Sequence, residues 1–227
     1  MSTEPFQHKI NCRPDFSMLA VTVPPGRNLR LEAASMAAMD KNLKLTTKMK
    51  GGLGRLLTSE SLFVNEVSAV DGPGEILISP GAPGDIEHRY LRDETLYLQG
   101  SSYLASDPSV KVETKWQGLT KGFFSGESFF LIKCSGTGDL WFNTFGAMIT
   151  LVDVDGSVVV DTGHIVGFTG GLDYSIEKLG GYKSLFFSGE GLVCRFKGQG
   201  TVWVQTRKPA AFARWASYYR PVKTRDS

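Results

Sequence analysis

The run Val158-Val159-Val160-Asp161-Thr162-Gly163 carries the sharpest chemical motif in the chain. Apolar residues ahead of Asp-Thr-Gly form the aspartic-protease pattern, in which two aspartates share one proton. That chemistry needs a second copy or a dimer axis, and the sequence holds no other Asp-Thr-Gly. His164 follows it in place of the usual small residue. A turn-forming Asp161 therefore explains the motif better than an aspartic-type hydrolase. Asp153-Val154-Asp155-Gly156 begins like a calcium loop, but it lacks the third acidic position and has His164 where the bidentate glutamate belongs. It reads instead as a two-residue hairpin turn between Leu151-Val152 and Val158-Val159-Val160. His8, His88 and His164 show no metal-ligand spacing with one another or with Cys12, Cys134 and Cys194. No Gly-x-Ser-x-Gly, phosphate loop or dinucleotide fingerprint is present. No catalytic residue, metal or cofactor is assigned.

Three further groups have residue types suited to binding. Glu60, Glu127 and Glu190 each stand in a similar local run. Gathered about an axis, they would offer oxygen ligands to a cation. A glutamate recurring at a strand start more commonly accepts hydrogen bonds from turn amides, so these three are read as structural. Lys44, Lys48, Lys50 and Arg55, with Lys41 before them, make a basic stretch around Gly51-Gly52 that would meet an anionic polymer such as RNA. Phe212, Trp215 and Tyr219 fall on one stripe of a helix spanning Pro209 to Arg220. Pro209 suits a first helical position and Pro221 ends the segment. Basic residues flank this stripe, a composition that fits docking on a partner or on the protein's own core.

The elements that would position these groups are strands. Ser125-Gly126-Glu127-Ser128-Phe129-Phe130-Leu131-Ile132 precedes Gly136-Thr137-Gly138-Asp139-Leu140-Trp141-Phe142. Ser188-Gly189-Glu190-Gly191-Leu192-Val193-Cys194 precedes Gly198-Gln199-Gly200-Thr201-Val202-Trp203-Val204 in the same order. A looser copy runs from Ser59-Glu60-Ser61-Leu62-Phe63-Val64 to Gly72-Pro73-Gly74-Glu75-Ile76-Leu77. Upstream of these, Ser35-Met36-Ala37-Ala38-Met39-Asp40 matches Ser102-Tyr103-Leu104-Ala105-Ser106-Asp107 and, more weakly, a piece beginning at Gly163. Matched motifs at matched offsets are what duplication produces. The runs are short, β-branched and aromatic. Each Gly-x-Gly is expected to form a tight turn.

Charge and cysteine usage narrow the class. The 227 residues carry 25 basic and 23 acidic side chains, too balanced for a general nucleic-acid binder. Three sparse cysteines do not make a disulfide framework and fit a reducing compartment. The first residues lack a signal peptide and the Arg-rich character of a transit peptide, and no apolar window is long enough to span a membrane. The expectation is a cytoplasmic protein.

The Ser-Gly-Glu-Gly-Leu-Val run at 188–193, the Gly-x-Gly-x-Val-Trp-Val-Gln-Thr-Arg ending at Arg207, Ser-Tyr-Leu-Ala-Ser-Asp at 102–107 and Val-Asp-Thr-Gly-His at 160–164 together resemble the altered inheritance of mitochondria 24 family. The resemblance covers about Ser35 to Arg207 and is weakest in the first copy, where Val70-Asp71 is inserted before the Gly-x-Gly. It implies a β fold similar to the tryptophan RNA-binding attenuation protein, often a homo-oligomer. It brings no established catalytic residues. The inner-membrane role of mitochondrial members does not carry over to a chain without a transit peptide, and likeness to an RNA-binding ring does not license RNA binding.

The sequence thus predicts an all-β protein: three tandem β-sandwich-like repeats packed with pseudo-threefold symmetry, plus one C-terminal α-helix. The repeats lie at about 17–86, 87–152 and 153–207 within a single compact domain, 1–207, followed by helix and tail at 208–227. The expected role is a non-catalytic binding or scaffold protein acting as a homo-oligomer, with the helix as a protein-partner surface. RNA or anionic-ligand binding through 41–55 is the alternative.

Overall fold

The computed structural model describes residues 4–48, 64–115, 130–152, 158–178 and 192–220. The chain is built from antiparallel strands, most of them short and rich in β-branched or aromatic residues. The first stretch holds β1 (His8–Asn11), β2 (Met18–Val23), β3 (Asn28–Glu32), β4 (Met36–Met39), β5 (Leu43–Lys48), β6 (Val64–Ala69) and β7 (Gly74–Ile78). The second holds β8 (Ile86–Gln99), β9 (Tyr103–Ser106), β10 (Lys111–Lys115) and β11 (Leu131–Asn143). The third holds β12 (Met148–Leu151), β13 (Val159–Asp161), β14 (Ile165–Thr169), β15 (Asp173–Lys178), β16 (Leu192–Lys197) and β17 (Val202–Gln205). One helix, α1 (Pro209–Ser217), follows. The fold is therefore all-β with one C-terminal helix. No helix among the described residues is long and apolar enough to cross a membrane.

Pairing registers match across the three stretches. β6 lies between β3 and β5, with Glu32 opposite Val64. β11 lies between β8 and β10, with Gln99 opposite Leu131. β16 lies between β13 and β15, with Asp161 opposite Val193. A second pairing also occurs three times. β4 meets β7 with Met36 opposite Ile78 and Ala38 opposite Leu77. β9 meets β11 with Tyr103 opposite Phe142 and Ala105 opposite Trp141. β14 meets β17 with Ile165 opposite Val204 and Gly167 opposite Trp203. Each of these three carries a one-residue bulge between the two quoted pairs.

Two seams join the stretches. β3 pairs with β9 through Leu31 and Ala105, and β8 pairs with β14 through Leu98 and Gly167. The large sheet thus runs β12-β17-β14-β8-β11-β9-β3-β6-β5, with β10 beside β11. The remaining sheets are β1-β2-β7-β4 and β13-β16-β15. Trp141, Trp203, Tyr103, Phe142, Phe168 and Phe196 are the largest buried side chains. Burial of each such group stabilises the fold by roughly 1.5–3 kcal/mol or more, in proportion to the apolar area covered.

Several local expectations change. The strands flanking Asp155-Gly156 do not form a hairpin: β12 pairs with β17 and β13 with β16. The two strands serve different sheets, so the connection diverges; the turn itself lies outside the described residues. In the second stretch Gly136 and Gly138 make no turn. They sit inside the continuous strand β11, at φ +114° and +145°, where the register against β8 shifts. A Cβ on Gly138 would lie 2.7 Å from Ser109 Oγ and 2.9 Å from Asp107 Cβ, so close approach as well as backbone conformation requires glycine. The third shared piece begins one residue later than Gly163. Gln99 and Asp161 are the corresponding caps of two 3-10 turns, which aligns Ser102 with His164.

Candidate functional site

Asp161 serves an architectural purpose. Its Oδ1 accepts from the Gly163 N–H at 2.8 Å, capping the 3-10 turn Thr162–His164. Its Oδ2 accepts from Lys208 Nζ at 2.7 Å. His164 Nδ1 sits 2.7 Å from the Gln205 carbonyl. Both residues therefore tie β13 and β14 to the segment entering α1. Gln99 does the corresponding job earlier, accepting from the Ser101 N–H at 2.9 Å. The third corresponding residue is Glu32, on β3. It makes no side-chain hydrogen bond or ion pair among the described residues, and burial pushes its carboxyl up to about 7. It lines a cavity of about 260 Å³ with Ser102, Asn143, Phe145, Gln205 and Pro209.

Two of the three thiols are buried. Cys134 and Cys194 are free and buried, and burial pushes both up to about 12, so they stay protonated near neutrality. Cys12 is free and exposed.

The aromatic stripe of Phe212, Trp215 and Tyr219 is exposed; α1 ends at Ser217, short of the expected Arg220, so Tyr219 lies in the turn beyond it. Pro209 occupies the start of the helix, and none of its residues is buried. Phe212, Trp215 and Tyr219 are 49%, 57% and 74% exposed. They stack in sequence, Phe212 on Trp215 at 5.7 Å between ring centroids and Trp215 on Tyr219 at 5.3 Å. Only Phe212 reaches a core element in this ring series, meeting Phe145 at 5.3 Å.

Of the basic stretch, Lys44 lies exposed on β5 and Lys48 ends that strand, whereas Lys50 and Arg55 lie outside the described residues. Glu60, Glu127 and Glu190 also lie outside them. Elsewhere, Arg27 pairs with Asp107 at 2.7 Å and Arg30 with Glu66 at 3.4 Å, so these cations already have partners.

Linear spacing missed one constellation. His8 on β1, His88 on β8 and Asp139 on β11 bring three ligating atoms within 4.8 Å of one another. Asp139 is fully buried. Its Oδ2 accepts from the Phe6 N–H at 2.8 Å, and its Oδ1 lies 2.7 Å from His88 Nε2. His8 Nδ1 lies 3.0 Å from the Phe6 carbonyl, to which it donates. The two imidazoles are 4.1 Å apart between centroids and both rest against Trp141. The usable sequence signal was an aspartate directly ahead of Leu140-Trp141-Phe142, where a buried carboxylate must find partners. The histidines gave none, because strand pairing rather than sequence proximity unites them.

The final groups of interest are backbone ones. Among the described residues β4 pairs with β7 alone, and β13 with β16 alone. All four residues of β4 are exposed, including Met36 and Met39, and Val159 on β13 is 41% exposed.

Comparison with known proteins agrees with this architecture. A crystal structure of a Streptococcus pyogenes protein superposes with a TM-score of 0.81 at 25% identity, covering 95% of this chain and 100% of the other. An uncharacterised protein of Streptococcus pyogenes serotype M6 is 28% identical over 221 residues, covering 92% of this chain and 89% of the relative. The family described as Mitochondrial biogenesis AIM24 matches residues 8–207, and the chain belongs to that family.

Proposed function

We propose that this protein is a non-catalytic scaffold that assembles from copies of itself through β4 and β13. The observation that carries this is the edge of β4 that pairs with no strand among the described residues. Within the chain the seams β3–β9 and β8–β14 share one register, Leu31 opposite Ala105 and Leu98 opposite Gly167. By the matching registers, the third member of that series would place Val160 of β13 opposite Ala38 of β4. No such pair is formed among the described residues. The occupant that fits β4 is thus β13 of a second copy, in the register the chain uses twice internally. A head-to-tail contact of this kind closes into a ring or extends as a filament. Unpaired strand edges are templates for such addition.

On this reading the three copies, about 17–86, 87–152 and 153–207, are one domain whose third seam is completed by a second copy. The stacked rings of Phe212, Trp215 and Tyr219 form a separate surface for an apolar, acid-flanked protein segment. A reducing, cytoplasmic setting is supported by the three free thiols. Light scattering and sedimentation on the full chain test the assembly. The expected result is a discrete oligomer that Ala38→Asp converts to a folded monomer. A strict monomer at high protein concentration, or an oligomer indifferent to Ala38→Asp, would sink the proposal.

A further inference from the structure

We infer that His8, His88 and Asp139 form a binding site for a divalent transition-metal ion of the zinc class. Two imidazoles and one carboxylate suit zinc, cobalt or ferrous iron rather than calcium or magnesium. The supporting contacts are those of metal ligands. His8 donates Nδ1–H to the Phe6 carbonyl, which orients the ring and leaves Nε2 as its available ligand atom. Asp139 is anchored through Oδ2 by the Phe6 N–H, which leaves Oδ1 for the metal. Phe6 thus orients two ligands at once, and the Arg27 guanidinium sits 3.7 Å over its ring. Trp141 walls one side of the site.

The adjustment needed is small. Tetrahedral bonds to nitrogen and oxygen separate ligand atoms by about 3.4 Å. The three atoms already lie within 4.8 Å of one another, and Asp139 Oδ1 and His88 Nε2 are 2.7 Å apart. Metal entry replaces the proton shared by that pair, which leaves to solvent. A slight rotation of His8, whose side chain is partly exposed, completes the set. Three protein ligands leave a fourth position for water or an incoming donor. The site also joins β1 to β8 and β11, so an ion there staples the first strand onto the core.

The test uses the full chain stripped by chelation, titrated with cobalt(II) and then zinc(II). One equivalent of cobalt is expected to give an intense visible band that zinc abolishes. Zinc at about a hundredfold over its Kd is expected to raise Tm by roughly 5–10 °C. His8→Gln and His88→Gln should each weaken binding at least about tenfold, with the fold retained by circular dichroism. Cys12→Ser should leave affinity unchanged, since that exposed thiol just beyond β1 is the competing soft ligand. No cobalt band in the wild-type chain, unaltered affinity in His8→Gln, or loss of binding in Cys12→Ser would each overturn the assignment.

Discussion

Strands β4, β9 and β14 hold corresponding registers against β7, β11 and β17, yet their surroundings differ sharply. Every residue of β9 is buried, as are the first four of β14, while every residue of β4 is exposed. The cause is neighbour count. β9 lies between β11 and β3, β14 lies between β17 and β8, and among the described residues β4 has β7 alone. Local composition follows the same division: Tyr-Leu-Ala-Ser and Ile-Val-Gly-Phe against Met-Ala-Ala-Met. A strand's burial is therefore decided by what pairs with its second edge, not by its place in the pattern.

Substitution at the central position of the series breaks this comparison most severely. Ala105 is fully buried, and Ala105→Asp would place an unpaired carboxylate in the core. The expected loss is about 3–5 kcal/mol, read by denaturant unfolding. Ala38→Asp, at the exposed equivalent, should change the stability of the isolated fold by no more than about 0.5 kcal/mol while dissolving assembly. Equal losses at both positions would show that β4 is covered within a single chain.

Glu32, Gln99 and Asp161 sharpen the comparison, because the first of them again lacks the partners of the other two. Burial raises the Glu32 carboxyl from 4.5 to about 7. Its neutral form is favoured in the fold, so the associated stability is complete below pH 4.5 and is lost as pH rises toward 7. Glu32→Gln supplies the residue type of the second stretch. It should flatten that slope and stabilise the protein at pH 8 by about 1–3 kcal/mol, with little change at pH 4. Thermal unfolding across this range reads the effect, and an unchanged slope would remove Glu32 as its source.

The smallest effect is expected at Asp161. Asp161→Asn keeps the side-chain oxygen that caps Gly163 and loses the ion pair with Lys208. A partly buried pair of this kind contributes about 0.5–1 kcal/mol, measurable as a modest fall in Tm. A larger loss would mean that this contact, rather than strand pairing, holds β13 in place.

How much was legible in advance depends on whether the signal was local. The strand β16 alternates Leu192, Cys194 and Phe196 with Val193, Arg195 and Lys197, and from Cys194 onward that period reports a face directly, whereas Val193 is buried as well. Pro209 and the aromatic spacing located α1, because helix starts and stripes are properties of neighbouring residues. The Asp155-Gly156 hairpin failed for the converse reason. Turn chemistry permits a reversal, but the destination of the emerging strand is set by distant partners. The Gly-x-Gly of β11 misled similarly: a glycine pattern marks unusual backbone without distinguishing a turn from a bulge.

The sequence by itself determined the all-β class, the recurring motif order, the terminal helix and the architectural role of Asp161. All follow from period, turn chemistry and the spacing of residues close in the chain. The tertiary structure alone decided that β4 has one neighbour among the described residues, that Glu32 is half-buried without the partners of its counterparts there, and that His8, His88 and Asp139 meet beneath Phe6. Those outcomes depend on register between strands far apart in sequence, where a side chain's position is fixed by the partner strand and not by its own neighbours.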